Sequence, residues 1–233
     1  MHLASFTYGK GRVRLMRVAR TTPRHEIREL SLEIMLDGDF AASFTSDDNT
    51  KVIATDSIKN IANALARQHP ALENEPFLAT IATYFLDHYR QISRVSIIAH
   101  ETAWDRLMVD GTPHDHAFVK AANGQPGALL TANRAGTEIR SGITGFTCLK
   151  TTQSGWTGYV IDGMTTLPET TDRIFSTAMN VHWTWQATPS SYATANRAII
   201  AAMMTMFATT YSPSVQHSLY LMGSAALAAV PPP

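Results

Sequence analysis

The sequence predicts an α+β protein in which antiparallel strands and paired helices recur in two tandem units. Apolar and polar residues alternate over Arg12–Ala19 and Glu26–Leu36, which is typical of strands with one wet face. Apolar residues then recur at helical spacing from Ile58 to Leu65 and from Phe77 to His88. The same order, strands first and helices second, returns in the second half of the chain.

Four shorter segments complete the first unit. Phe40–Thr45, after the turn signal Asp37-Gly38-Asp39, is expected to extend or pair with the first strands. Lys51–Ala54 is predicted to be a short apolar strand. Val95–Ala99 alternates as a strand, and Trp104–Val109 is predicted to be another.

The Asn, Gly and Pro residues of Asn123–Gly127 mark the best boundary. We therefore predict one unit over residues 1–125 and a second over residues 126–233. In the second unit we expect strands near 128–133 and 137–150 and from Arg173 to Trp185. Helices are expected over Tyr192–Thr209 and from Ser214 to about Val230, after which the second half stops.

Composition argues against several classes of partner. Lys+Arg and Asp+Glu balance at 19 each, so no nucleic acid and no membrane partner is indicated. Charged residues are only 16% of the 233, which suggests that other subunits cover part of the surface. The most apolar run, residues 198–208, is too short to span a bilayer. Cys148 is the only cysteine, and this fits a reducing, cytoplasmic setting.

The stretch VIATDSIKN, residues 52–60, changes from a strand pattern to a helix pattern at Thr55-Asp56. One interpretation is that these residues cap the helix. Another is that the free N–H groups of the helix start hold an anion. Taken alone, Lys10 in YGKG predicts an exposed turn lysine, and Arg173 predicts a surface charge.

Six segments together have a family resemblance. They are YGKGRVRL from Tyr8, ATDSIKN from Ala54, the pair His114 and His116, and TCLKTTQSGW, TTLPETTDRI and SVQ at residues 147–156, 165–174 and 214–216. In order and spacing, the chain resembles urate oxidase (uricase) from about Tyr8 to about Met222. The resemblance implies two tandem tunnelling-fold (T-fold) units, each an antiparallel sheet with helices on one face. It also implies a homotetramer with active sites between subunits. The implied reaction converts urate, O₂ and water to 5-hydroxyisourate and hydrogen peroxide, with no metal or organic cofactor.

The resemblance also implies which residues contact urate. Arg173 matches the family arginine, whose planar fork can grip one polar edge of the purine. Gln216 matches the family glutamine, and Val215 would contribute its backbone N–H. Trp156 stands where the family places a phenylalanine that stacks on the purine.

Lys10 and Thr55 match the proton relay of the family. The lysine would draw a proton through the threonine hydroxyl. Thr55 would also help to hold O₂ or water, and the Asp56 backbone N–H would touch urate. By the resemblance, Thr55-Asp56 would both start a helix and offer the free N–H groups of that start to an anion.

Departures from the family leave two alternatives open. No Asn-x-His motif, which carries the third relay member of the family, follows Gln216, and VIDGM follows Tyr159 where the family is rich in Arg and Asp. We therefore expect a second unit that is incomplete at its C-terminus, and a truncated, non-catalytic relative is the first alternative. The second is a zinc-dependent T-fold enzyme that uses His114 and His116, with His100 as a third ligand.

Overall fold

The computed structural model describes residues 3–230. The first part of the chain forms five strands and three helices: β1 (Tyr8–Ala19), β2 (Glu26–Gly38), α1 (Ala41–Thr45), α2 (Thr55–Gln68), α3 (Asn74–His88), β3 (Ile92–Thr102), β4 (Trp104–Val109) and β5 (Thr112–Lys120). The remainder forms β6 (Gln125–Asn133), β7 (Gly136–Lys150), β8 (Phe175–Thr184), α4 (Tyr192–Thr209) and α5 (Val215–Ala229). The predicted α+β class is confirmed.

Six strands form one sheet in the order β1-β2-β3-β6-β7-β8, and β4 and β5 form a separate two-stranded sheet. The pairings β1–β2, β2–β3, β3–β6 and β6–β7 are all antiparallel. Strand β1 therefore lies at one end of the sheet. Between residues 3 and 230, none of the helices combines the length and the apolar character that a membrane-spanning helix requires.

Packing divides the chain into two compact units. The first extends to Thr144 and takes in Val181–Trp185, whereas the second contains Gly145–Asn180 and the chain from Gln186 onward. Strand β6 belongs to the first unit, where it pairs with β3. The division into T-fold repeats at residues 125 and 126 stays a prediction, because packing units and repeated units need not coincide.

The core of the first unit forms where α2 and α3 cover one face of the sheet. Every second residue of β2 from Leu30 to Leu36 is buried, as the alternating pattern predicts. The helices supply the facing apolar side chains, which include Ile58, Ala62, Phe77, Ile81 and Phe85. The second unit has its own apolar cluster on α4 and β8, where the Phe175 and Phe207 rings lie 5.4 Å apart.

Two predicted strands are wrong. Ala41–Thr45 is the short helix α1, in which the Thr45 hydroxyl donates to the Ala41 carbonyl and stabilises the helical turn. Lys51–Ala54 pairs with no strand, because its backbone groups have other partners. The Val52 N–H donates to Asn49 in a turn, and the Ile53 N–H donates to the Tyr8 hydroxyl. Neither segment is long enough for its apolar pattern to decide between a strand and an irregular turn.

A buried polar network crosses the first unit. Arg17, only 2% exposed, donates to the Leu72 carbonyl at 2.8 Å and to the Asn74 side chain at 3.0 Å. Asn74 donates in turn to Glu101 at 2.7 Å, and Arg28 lies 3.8 Å from the same carboxylate. Burial raises the pKa of Glu101 above its usual range, although the charge of Arg28 opposes the shift. The carboxylate is therefore ionised at a cost to the folded state.

We predict that Glu101→Gln reduces the pH dependence of stability. The folded state holds a proton on Glu101 more tightly than the unfolded chain does. The stabilising contribution is therefore complete below the unfolded pKa, about 4, and is lost as pH rises through the higher folded pKa. As pH rises from about 4 to 7, the wild type should lose stability relative to Glu101→Gln. Urea unfolding at both pH values measures this, and Glu138→Gln, on an exposed ion pair with Arg140, is the control.

Candidate active site

Lys10 lies at an irregularity of β1. The register between β1 and β2 shifts between Lys10 and Val13, and Arg12 within the shift has a φ of 55°. Such a bulge turns the neighbouring side chains away from the regular alternation of a strand. Gly9 passes so close to the Ile34 carbonyl that a Cβ at this position would overlap it. Glycine at position 9 therefore permits the close contact between β1 and β2. The bulge that follows changes the direction of the Lys10 side chain.

Helix α2 begins at Thr55 without a side-chain cap. The N-cap residue is Ala54, so the prediction that Thr55 or Asp56 caps the helix is wrong. The Asp56 carboxylate instead bonds the Lys59 ammonium and accepts from the Asn60 amide at 2.9 Å within its own helix. The helix start is exposed and keeps its positive dipole end available to an anion.

Lys10 and the α2 start are electrostatic neighbours. The pKa of Asp56 is lowered mainly by its hydrogen bond with Lys59 and by the charge of that residue, and the Lys10 ammonium lowers it further. Lys10 is therefore close enough to the α2 start for its charge to act on Asp56, and Thr55 directly precedes Asp56 in the chain. A lysine side chain, a threonine hydroxyl and a helix N–H can together bind an anion and, with the lysine as an amine, transfer a proton.

Trp156 and Arg173 lie on two hydrogen-bonded segments of the second unit. Trp156 and Thr170 exchange backbone hydrogen bonds of 2.7 and 3.0 Å, and the Arg173 N–H donates to Ser154 at 2.8 Å. The Arg173 guanidinium lies 5.9 Å from the centroid of the Trp156 ring. Its Nε is buried and has no hydrogen-bond partner within residues 3–230. A planar cation beside an aromatic face can bind a flat anion by its edge and its face.

Val215 and Gln216 open helix α5. The Ser214 side chain caps this helix by accepting from the His217 N–H at 3.1 Å. The preceding residues are bonded to the Trp156 segment, because the Ser212 N–H donates to Gln153 and the Gly155 N–H donates to Ser212. Lys150 also holds the Thr210 carbonyl at 2.8 Å. The segments that carry Trp156, Arg173, Val215 and Gln216 are therefore joined within the second unit.

Three residues that support these segments were not identified from the sequence. Asp172 accepts from the Thr152 hydroxyl at 2.8 Å, Glu169 accepts from the Gly158 N–H at 2.6 Å, and the Tyr211 hydroxyl donates to Thr171 at 2.8 Å. The charged positions of TTLPETTDRI are the signal that could have indicated the first two. Tyr211 carries no comparable signal, because its partner lies 40 residues away.

We predict that Gly155→Ala weakens this part of the site. A Cβ on Gly155 would overlap the Tyr211 hydroxyl, which would have to leave its bond with Thr171. Overpacking of this kind costs about 1–3 kcal/mol. The variant should show lower stability in urea and a raised KM for urate. Gly163→Ala is the matched control, since an added Cβ there has no neighbour within 4 Å; equal effects of the two substitutions would contradict the prediction.

The zinc alternative gains no support from the geometry of the histidines. The His116 N–H donates to His114 Nδ1 at 3.3 Å, and the two rings meet edge to face at 4.5 Å on β5. A third histidine ring, that of His25, lies 5.7 Å from the His116 ring. Across the part of the chain that the structure describes, no group of three or more His, Cys, Asp or Glu residues is arranged to hold a metal ion.

The antiparallel sheet with helices on one face defines an α+β protein of the tunnelling-fold class. Comparison with known proteins identifies the family within that class. The Uricase family model matches residues 6–131 and 139–232, and the chain therefore belongs to the uricase family, whose members are oxidoreductases of purine catabolism. This result confirms the resemblance inferred from the six sequence segments.

Individual relatives match over most of the chain. A uricase of Arthrobacter globiformis is 36% identical over 220 residues, which are 94% of this chain and 71% of that protein. A uricase of Emericella nidulans is 35% identical and covers 98% of this chain, which spans 80% of that protein. The crystal structure of the Arthrobacter globiformis uricase matches with a TM-score of 0.92 at 35% identity, over 99% of this chain and 77% of that one.

Proposed function

We propose that the chain is a urate oxidase that converts urate, O₂ and water to 5-hydroxyisourate and hydrogen peroxide. The observation that carries this proposal is the uricase family match, which extends over both units and includes every site residue named here. The two local arrangements fit the reaction chemically. One offers a lysine side chain and a free helix start, and the other offers an arginine beside an aromatic face.

Substrate binding is assigned to the second unit together with Asp56. The Arg173 fork binds one polar edge of urate, and the Gln216 amide supplies a donor and an acceptor on another. The Val215 N–H, at the start of α5, donates to the anion. Trp156 stacks on the purine face, where its larger ring replaces the phenylalanine of the family. The Asp56 N–H, at the start of α2, donates to urate as well.

Proton transfer is assigned to Lys10 and Thr55. With Lys10 as the neutral amine, Thr55 passes a proton from the urate monoanion to Lys10, and the resulting dianion is electron-rich enough to reduce O₂. Two electrons pass from urate to O₂, which takes up one proton from the protonated Lys10 and one from water and leaves as hydrogen peroxide. The hydroxyl group of water forms the new bond at C5 of the oxidised purine. The protein contributes deprotonation and the positioning of urate against O₂, and no cofactor is required by this balance.

We propose that the active chain is a homotetramer with sites between subunits. Two features support assembly. Strand β1 ends the six-stranded sheet and presents a long edge, which natural proteins usually pair or cover. Large apolar side chains are also exposed, among them Val160 at 86% and Met164 at 88%. The single cysteine, Cys148, supports a cytoplasmic location.

Turnover of urate by the purified chain tests the proposed reaction. The loss of the ultraviolet absorbance of urate should be accompanied by one O₂ consumed and one hydrogen peroxide formed per urate. The rate should not change after treatment with a metal chelator. Absence of turnover in folded, assembled protein would contradict the proposal and favour a non-catalytic relative.

A further inference from the structure

The Tyr8 hydroxyl joins the two segments that carry Lys10 and Thr55. Tyr8 precedes Lys10 by two residues on β1, and its hydroxyl accepts a hydrogen bond of 2.8 Å from the Ile53 N–H. Ile53 in turn precedes Thr55 by two residues and is only 6% exposed. One hydrogen bond therefore connects the bulged strand of the proposed base to the chain that leads into the α2 start.

The strand side of this connection is firmly held. The Tyr8 ring packs edge to face on the buried Phe40 ring, with 4.7 Å between the centroids. Tyr8 pairs with Leu36, and the Thr7 hydroxyl donates to the Leu36 carbonyl at 3.1 Å. Burial raises the pKa of Tyr8, so the hydroxyl stays protonated over the neutral range. Its oxygen thus has a fixed position from which to accept the Ile53 N–H.

The other side of the connection depends on few bonds. Residues 51–54 pair with no strand, so no ladder fixes their distance from β1. The Val52 N–H closes a turn with Asn49, and the Gln91 amide donates to the Lys51 carbonyl at 2.9 Å. Neither bond reaches β1. The hydrogen bond from the Ile53 N–H to the Tyr8 hydroxyl does connect this segment to β1, two residues before Thr55.

We propose that Tyr8 is a positioning residue for proton transfer, and that its hydroxyl sets the position of Thr55 relative to Lys10. The proposal rests on the proposed function, in which a proton passes from urate through Thr55 to Lys10. Proton transfer requires heavy atoms within hydrogen-bond reach, so a small displacement of the threonine lowers the rate. In this role Tyr8 acts through Thr55 and is assigned no contact of its own with urate, O₂ or water.

Tyr8→Phe is the direct test, because it keeps the ring on Phe40 and removes only the acceptor. We expect kcat for urate to fall about tenfold to a hundredfold. KM should change much less than kcat, since the Arg173 and Gln216 segments are not altered and only the Asp56 N–H moves with Thr55. The pH profile of kcat should also change. Thr80→Val is the matched control, because it removes one side-chain hydrogen bond, that of Thr80 to Pro76, elsewhere in the first unit.

Loss of folding is separated from loss of positioning in two ways. The folded fraction of each variant is measured by urea titration, and kcat is expressed per folded molecule. Anaerobic titration with urate then shows that the binding groups remain assembled. An unchanged kcat, an equal fall in Thr80→Val, or a raised KM as the sole effect would overturn the positioning role alone. Absence of turnover in the wild type would overturn the proposed function and the role of Tyr8 with it.

Discussion

Replacing Arg173 by alanine is expected to lower kcat/KM for urate at least a hundredfold, mainly by weakening substrate binding. Within the described residues of the second unit, the Arg173 guanidinium is the planar cation that lies beside Trp156. Its Nε is buried and has no hydrogen-bond partner among those residues. Removal of one member of a desolvated charge pair costs about 2–5 kcal/mol. Steady-state kinetics and anaerobic titration with urate measure the two effects separately.

Two further variants determine whether the charge or the planar geometry of Arg173 is responsible for the binding of urate. Arg173→Lys keeps the charge but loses the planar fork, so most of the loss should remain. Arg140→Ala removes an arginine whose side chain is about half-exposed and paired with Glu138, and it should change little. Wild-type affinity for urate in Arg173→Ala would show that the substrate does not bind at this arginine.

Replacing Lys10 by methionine is expected to lower kcat about a hundredfold to ten-thousandfold, with a smaller change in urate affinity. Methionine has a similar length but cannot accept a proton. Thr55→Val, which removes the hydroxyl of the same relay, should give a loss of similar size. Because the two groups act in one proton path, the double variant should be little worse than either single variant.

The control for Lys10→Met is Lys120→Met, at the exposed end of β5. Its kcat should equal that of the wild type. Multiplicative effects of Lys10→Met and Thr55→Val would indicate that the two residues act independently, which contradicts a shared relay. A pH profile of kcat that keeps its shape in Lys10→Met would contradict the role of Lys10 as base.

The long elements of the fold could be predicted from the sequence because each has a clear apolar period. Strands β1 and β2 alternate, and α4 begins at Tyr192 and ends at Thr209 as its pattern predicts. The segments before α2 could not be predicted in the same way. Lys51–Ala54 is apolar, but its backbone donors bind an Asn carbonyl and a Tyr hydroxyl instead of a neighbouring strand. The local sequence pattern does not indicate which partners these backbone donors will bind.

The candidate site was predicted from motif resemblance more completely than from residue spacing. Spacing located the start of α2 but assigned the cap to Thr55 or Asp56, whereas Ala54 occupies that position. The supporting residues depend on contacts between distant segments. Tyr8 reaches Ile53 across 45 positions, and Tyr211 reaches Thr171 across 40. These partners become evident only when the sheet has brought the segments together.

In the proposed homotetramer with sites between subunits, we expect Lys10 of one subunit and Arg173 of another to serve the same urate. Co-assembly of the Lys10→Met and Arg173→Ala chains tests this expectation directly, because each variant alone should keep at most about one hundredth of the wild-type kcat/KM. In a mixed symmetric oligomer about one site in four would contain both intact residues, and turnover should return to about that fraction of the wild type. Differently tagged chains show that mixed oligomers have formed. Mixed oligomers without restored turnover would contradict a site shared between subunits.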